Sequence, residues 1–372
     1  MSGRMLRLVC TAAVAAQAAL APVGAVAVPG PTGPGQRSVA DLLTDLQKLY
    51  RQTEEATETY DTAAEQMARQ RSEVARLDAG LARARLALHD SRGDAGRLAR
   101  EQYQGSSGAL SPYVRLLLAR DPQRALDEGH VIGRLARERA STVGRLAGSE
   151  KRAADLAREA RKALDTQLAL AQRQQRARDD VRSRLHEVER LLASLTPEQL
   201  SALAAFERDG TAEAQRKLLA SGALGDDRPP TEKGEEAVGY AVRQVGKPYQ
   251  WGAAGPKAYD CSGLTSQAWQ HAGTPIPRTS QQQWARLKRI PLNELRPGDL
   301  VVYFPKATHV ALYLGDGMVV QAPRPGAQVK VSPVAVAPVL GAVRPDPGGK
   351  PLARYTPPKL PAGAPHGPDA AL

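Results

Sequence analysis

Cysteine and large aromatics are scarce in this chain: 372 residues hold two Cys, two Phe and three Trp. Two cysteines cannot build a disulfide framework. The three tryptophans, Trp251, Trp269 and Trp284, all lie in the last third. Ala, Arg, Leu, Gln and Glu dominate before residue 230, the composition of long helices rather than of a globular core. Long apolar runs are also missing, apart from Leu8 to about Ala21. That run follows Arg4 and Arg7 and ends in the small residues Ala25-Val26-Ala27. It reads as a secretory signal over residues 1–27, too short and too Ala-rich for a spanning helix. The mature protein is therefore expected outside the cell.

Other absences narrow the function. No pair of His, Cys or acidic residues shows metal-ligand spacing near the residues that carry the chemistry below, and no Gly-rich loop is built to cradle phosphate, so neither metal nor cofactor is expected. The formal charge of +12 does not imply nucleic acid, because the basic residues alternate with acids along helices and export removes that partner. Residues 231–346 hold thirteen basic and eight acidic side chains, net +5, which suits an anionic wall polymer.

What is present falls into two unlike parts. From Leu42 through Leu46, Leu49, Ala56, Ala63, Met67, Val74, Leu77, Leu81 and Leu88, steps of four and three alternate for six heptads. A second series runs from Ile132 to Leu195, with Arg139, Gln167 and Arg184 in its core positions. Between them, Gly105-Ser-Ser-Gly108 and Ser111-Pro112 break the helix. The pattern predicts two long antiparallel helices over residues 38–200, joined by a short-helix tip near 105–130 that exposes Leu116, Leu117 and Leu118. A short helix begins at Thr196-Pro197-Glu198 and runs through Phe206, and a linker from Ser221 to Pro230 completes the segment 201–230. The Pro-, Gly- and Ala-rich stretch 347–372 reads as a disordered tail.

Residues 231–346 carry the chemistry. Removing the leader leaves Cys261 as the one cysteine, and count alone leaves burial and reactivity both open. Asp260-Cys-Ser-Gly-Leu264 opens a helix that runs to about His271. A thiol in a first helical turn faces free backbone N–H groups and the positive dipole end, which favours thiolate. Downstream the period changes to two, and Asp299–Phe304, His309–Leu314, Met318–Gln321 and Gln328–Val331 read as strands, with Gly315-Asp-Gly317 a hairpin turn. A thiol nucleophile needs a base. His271 lies almost three turns along the same helix, so His309 is the base by elimination, and Gln321 across the hairpin is placed to orient its ring.

Gly246-Lys-Pro-Tyr249-Gln-Trp-Gly252, Asp260-Cys-Ser-Gly-Leu264, Pro277-Arg-Thr-Ser280, Leu295-Arg-Pro-Gly-Asp-Leu300 and His309-Val-Ala-Leu-Tyr-Leu-Gly-Asp-Gly317 together resemble the NlpC/P60 peptidases. The resemblance implies an α+β class, with a papain-like domain of helices packed on an antiparallel sheet, here preceded by the α-helical coiled coil. It implies a cysteine endopeptidase that cuts peptidoglycan stem peptides between D-glutamate and the diamino acid. Carried over, Cys261 is the nucleophile, His309 the general base and Gln321 the third member. Tyr249 would help hold the oxyanion, and Asp260, Ser262 and Arg278 would contact substrate, although Asp260 equally fits a helix cap. Two positions depart from the family pattern: Gln321 stands where His is common, and Ala311 where Gly is frequent. The coiled coil resembles those of exported wall hydrolases governed by a membrane regulator of the FtsEX type, which implies helices that cover the cleft. The competing readings are a wall-binding or scaffold protein without turnover, and an amidase or acyltransferase of the same fold.

Overall fold

The computed structural model describes residues 38–105, 112–118, 121–225 and 228–361; the expected leader, part of the tip and the last eleven residues lie outside them. Two helices of unusual length dominate the first half. α1 spans Val39–Gly105, 67 residues, and α3 spans Pro122–Ala193, 72 residues, capped by Asp121. Between them α2, Pro112–Leu117, forms the short tip helix.

The long helices run antiparallel, as cross-links show: Gln70 Nε2 donates to the Ala163 carbonyl at 2.9 Å, and the Ser91 and Ser149 hydroxyls meet at 3.1 Å. The apolar stripe is good near the base, where Leu43, Leu46, Tyr50, Val188 and Leu203 cluster. Further out, the buried residues of α3 are Thr142, Ser149 and alanines. Ala and hydroxyl layers bury less apolar area per turn than Leu, so the outer seam is held more weakly than the base. Leu117 and Leu118 at the tip are exposed.

α4, Pro197–Ala220, starts with a Thr196 capping box and Pro at its first turn. It runs well past the expected end at Phe206. Gly210 lies inside the helix with open space around it; an isolated Gly costs about 1 kcal/mol in a helix, which tertiary anchoring outweighs. That anchor is Gln215, whose amide donates to the Gly317 carbonyl at 2.9 Å and accepts from the Ala335 N–H at 3.0 Å. Gly317 has φ +69°, and a Cβ there would lie 2.8 Å from the Gln215 amide nitrogen.

The second half is layered. α5 (Glu232–Val242) and α6 (Cys261–His271) cover one face of a six-stranded antiparallel sheet, and α7 (Ser280–Arg286) leads into it. The strands are β1 (Lys288–Ile290), β2 (Leu300–Tyr303), β3 (His309–Gly315), β4 (Met318–Gln321), β5 (Lys330–Pro333) and β6 (Val339–Arg344), in the order β1-β6-β2-β3-β4-β5. Alternation splits the sheet into two cores. Val302, Val310, Leu312 and Val320 pack with α5 and α6, whereas Val301, Tyr303, Ala311, Tyr313 and Val319 pack under Leu224 and Val334.

Three expectations change here. β6, absent from the sequence reading, inserts between β1 and β2, since its pairing is non-local. The strand expected at 328–331 is shifted to Lys330–Pro333. The segment after residue 346, expected to be disordered, is in its near part tied down: Leu352 N–H donates to the Pro230 carbonyl at 2.8 Å, and Leu360 packs on the main core. Residues 362–372 are not among those described.

Candidate functional site

Asp260 caps α6, accepting the Gly263 N–H at 2.6 Å, so Cys261 is the first residue of the helix. It is buried and is the one cysteine among the described residues. α6 lies on the Val310 face of the sheet, and the Val310 N–H faces the thiol. Tyr249 packs in the same cluster, its phenol pushed well up by burial and then by the adjacent thiol.

By alternation His309 belongs to the opposite face. It reaches the cleft because it is the first residue of β3, at the rim of the sheet. Its Nε2–H donates to Gln321 Oε1 at 2.7 Å, and Gln321 Nε2 donates in turn to Ser332 Oγ at 2.8 Å. With Nε2 so engaged, Nδ1 is left for another partner. His271 lies at the far end of α6, 5.0 Å from the Tyr240 ring.

The cleft is filled. α1 lays a row of acids along it: Glu54, Glu58, Asp61 and Glu65, spaced four, three and four residues apart. Glu58 accepts from the Ser262 hydroxyl at 3.0 Å and from the Ser280 N–H at 2.9 Å, and the thiol approaches the same carboxylate at 3.9 Å. Glu54 lies 3.3 Å from His309 Nδ1, an ion-pair distance without hydrogen-bond alignment. Asp61 sits 3.4 Å from Arg278, Glu65 takes a bond from Gln282 at 3.1 Å, and Glu55 pairs with Lys306 at 3.0 Å. Above the row, Tyr60 stands edge-on to Trp251 with centroids 4.9 Å apart. Gly252 (φ +72°) makes the seat possible, since a Cβ would lie 3.1 Å from the Tyr60 ring and 3.3 Å from the Asp61 carboxylate. Glu54 and Glu58 are one turn apart, about 6 Å along the axis, so the imidazole and the thiol they touch occupy neighbouring points of one cleft.

This packing reverses the expected electrostatics. Burial first, then the charges of Glu58, Asp260 and Glu54, push the thiol well above its ordinary pKa, against the Val310 N–H that lowers it. The helix start that would favour thiolate is overridden. Burial alone would lower the His309 pKa, but Glu54 and the Gln321 bond raise it overall. Glu58 is pushed up to about 8 by burial and by Asp260, and Asp61 is raised for the same two reasons.

The remaining expected site residues divide. Arg278 donates twice to Asp260, at 3.0 and 2.6 Å, and to Ser262 Oγ at 3.0 Å. Asp260 is fully buried as cap and ion-pair partner. Ser262 and Arg278 face the acid row. Gln283 ties the preceding loop to α6 through the Pro277 and Ser262 carbonyls at 2.8 and 3.3 Å. The acid row was not foreseen, although it was legible. Like charges four residues apart weaken an isolated helix, so a run of them marks a face with a cationic or hydrogen-bond-donating partner.

The NlpC/P60 family matches residues 246–339. The chain carries an NlpC/P60 domain. Over 94 residues it is 46% identical to a probable endopeptidase of Corynebacterium glutamicum, covering 25% of this chain and 45% of that protein. Over 123 residues it is 40% identical to the peptidoglycan endopeptidase RipA of Mycolicibacterium smegmatis, covering 28% and 25%. Among solved structures, the NlpC/p60 domain of the peptidoglycan hydrolase SagA is 33% identical over 30% of this chain and 97% of that one, with a TM-score of 0.28. The chain spans under half the length of the curated relatives it matches. The NlpC/P60 match ends short of α1, α3 and α4, so the acid row lies outside the shared domain.

Proposed function

We propose that the protein is a secreted, wall-associated cysteine endopeptidase that cuts peptidoglycan stem peptides at the D-glutamyl–diamino acid bond, and that α1 holds it inactive. The observation that carries this reading is the pairing within one cleft of a lone thiol at a helix start and a hydrogen-bonded His309–Gln321 pair. With α1 withdrawn, Nδ1 of His309 loses Glu54 and is free to take the Cys261 proton. The thiolate attacks the carbonyl carbon, and the oxyanion gathers at the Cys261 N–H and the Tyr249 hydroxyl. The imidazolium then protonates the departing amine, and water releases the acyl group.

Glu58 supports the substrate-side assignment. A carboxyl group held by Ser262 Oγ and the Ser280 N–H, with Arg278 nearby, marks donors suited to a D-glutamate carboxylate. Leu117 and Leu118 give a membrane partner an apolar hold at the far end of the helices.

Digestion of purified peptidoglycan by the full chain carrying Glu54→Ala, Glu58→Ala and Asp61→Ala, which frees the cleft, with fragments identified by mass, tests the bond. Fragments with a new amino terminus on the diamino acid are expected. Release of glycan fragments, or of none, would sink the reading. Gln321→Ala should lower kcat about tenfold or more with KM little changed, because the ring loses its orienting acceptor, while Gln321→His should restore much of it. An equal fall for both would mean that Gln321 serves packing alone.

A further inference from the structure

A cavity of about 170 Å³ lies beside the filled cleft, bounded by His309 and Gln321 but not by Cys261. Its catalytic-half wall carries two buried cations, Arg324 and Lys330. Among the described residues that line it, the catalytic half contributes no carboxylate. β4–β5 pairing sets Lys330 opposite Gln321, and Arg324 follows Gln321 by three residues.

The facing wall is complementary. Arg324 lies 3.5 Å from Glu207 of α4, and its guanidinium stacks 4.2 Å from the Tyr50 ring of α1. Both of these partners belong to the helical half and leave with it. The catalytic half alone would then present a cationic wall next to the imidazole.

Chemistry fixes which part of a substrate meets that wall. The imidazolium gives its proton to the departing nitrogen, so the residue bearing that nitrogen lies against His309, on the side away from the thiol. That is the side of the cavity. Resting on the peptidase reading above, we propose that Arg324, with Lys330 beside it, is a specificity-determining subsite for a free carboxylate on the amine-side residue. Glu207 and Tyr50 mask it while the helices are docked. The substrates favoured are stem peptides whose diamino acid carries an ionised carboxyl near the scissile bond, over those in which that group is a carboxamide. A guanidinium recognises a carboxylate through two directed hydrogen bonds and an amide through fewer, without the charge.

The test uses the full chain with Glu54→Ala, Glu58→Ala, Asp61→Ala and Glu207→Ala, which opens the cleft and removes the carboxylate that masks Arg324, and two synthetic stem peptides that differ only in carboxylate or carboxamide on the amine-side residue. Arg324→Gln should lower kcat/KM for the carboxylate peptide about tenfold to a hundredfold, and leave the carboxamide peptide within about twofold. Arg324→Lys should keep part of the preference. Equal losses on both peptides, or no loss, would overturn the subsite and leave Arg324 as a latch residue only. The same peptides titrated by calorimetry into a chain that also carries Cys261→Ala separate this from the peptidase reading. A carboxylate preference in binding that Arg324→Gln removes supports the subsite even if neither peptide is cut. Binding of neither peptide, or of both alike, overturns it.

Discussion

In a chain whose cleft is freed by Glu54→Ala, Glu58→Ala and Asp61→Ala, Cys261→Ala should reduce peptide release from purified wall by about four orders of magnitude or more, to the level of the buffer blank. No second thiol among the described residues can substitute, and alanine keeps the backbone N–H that opens α6. The loss therefore reports the sulfur alone. Position supports the assignment more than burial does. The thiol is set against the β3 backbone at Val310, one residue from the imidazole. In the docked chain the same thiol is only 4% exposed and its pKa is raised, so alkylation by iodoacetamide should be slow at pH 7. Wall digestion by the alanine variant at the parental rate would remove Cys261 from the mechanism.

Replacing Glu54, Glu58 and Asp61 together by alanine should speed both alkylation and wall digestion by the full chain, by about tenfold to a thousandfold. Removing the partner of a buried charged group typically costs about 3–5 kcal/mol. The row supplies the carboxylate contacts to Ser262, Ser280, Arg278 and His309. Alanine favours helix, so α1 should keep its form and lose only its hold. Unchanged rates in this variant would mean that α1 does not restrain the cleft.

The row also sets a pH dependence. Glu58 faces Asp260, Asp61 and Cys261, with Arg278 as the nearby cation, and docking raises its pKa to about 8. A raised pKa means that the docked form binds the proton more tightly than the free form. Its stabilisation is complete below the ordinary carboxylate pKa of about 4.5 and is lost as pH climbs through about 8. The raised pKa of His309 against Glu54 acts in the same direction. Alkylation of the parent should therefore accelerate from pH 6 to 9 more steeply than thiol ionisation explains. Glu58→Gln, which keeps the shape and cannot ionise, should flatten that excess and be the slower of the two at pH 9. The same excess slope in parent and variant would remove Glu58 from the effect.

Much of this was legible in the residues, for reasons that also explain what was not. The long helices follow from heptads, and α6 from an Asp cap with an apolar face. β2, β3 and β4 follow from alternation around a Gly-Asp-Gly turn. Local signals end there. β6 is written in a Pro-flanked stretch whose partners in β2 and β1 lie roughly forty and fifty-four residues back, and α4 continues through Gly210 with Gln215 held by two backbone groups of the other half. The family motifs located Cys261, His309 and Gln321, but those motifs describe an open cleft. Glu54, Glu58 and Asp61 are not part of the shared domain, and their burial depends on a docking that no window of sequence contains. They are visible in retrospect as a like-charged stripe on a helix that otherwise avoids one.

One further property follows from the short connection between α4 and α5. Only residues 221–231 separate the helix that ends at Ala220 from the one that starts at Glu232. On the proposed reading, restraining helices and catalytic domain are thus supplied in fixed one-to-one proportion, at a local concentration of about millimolar that dilution cannot change. The unrestrained fraction would then be the same at any level of the protein. A single cut in that connection would turn the arrangement into a two-body complex, whose activity would then depend on how much of it is present.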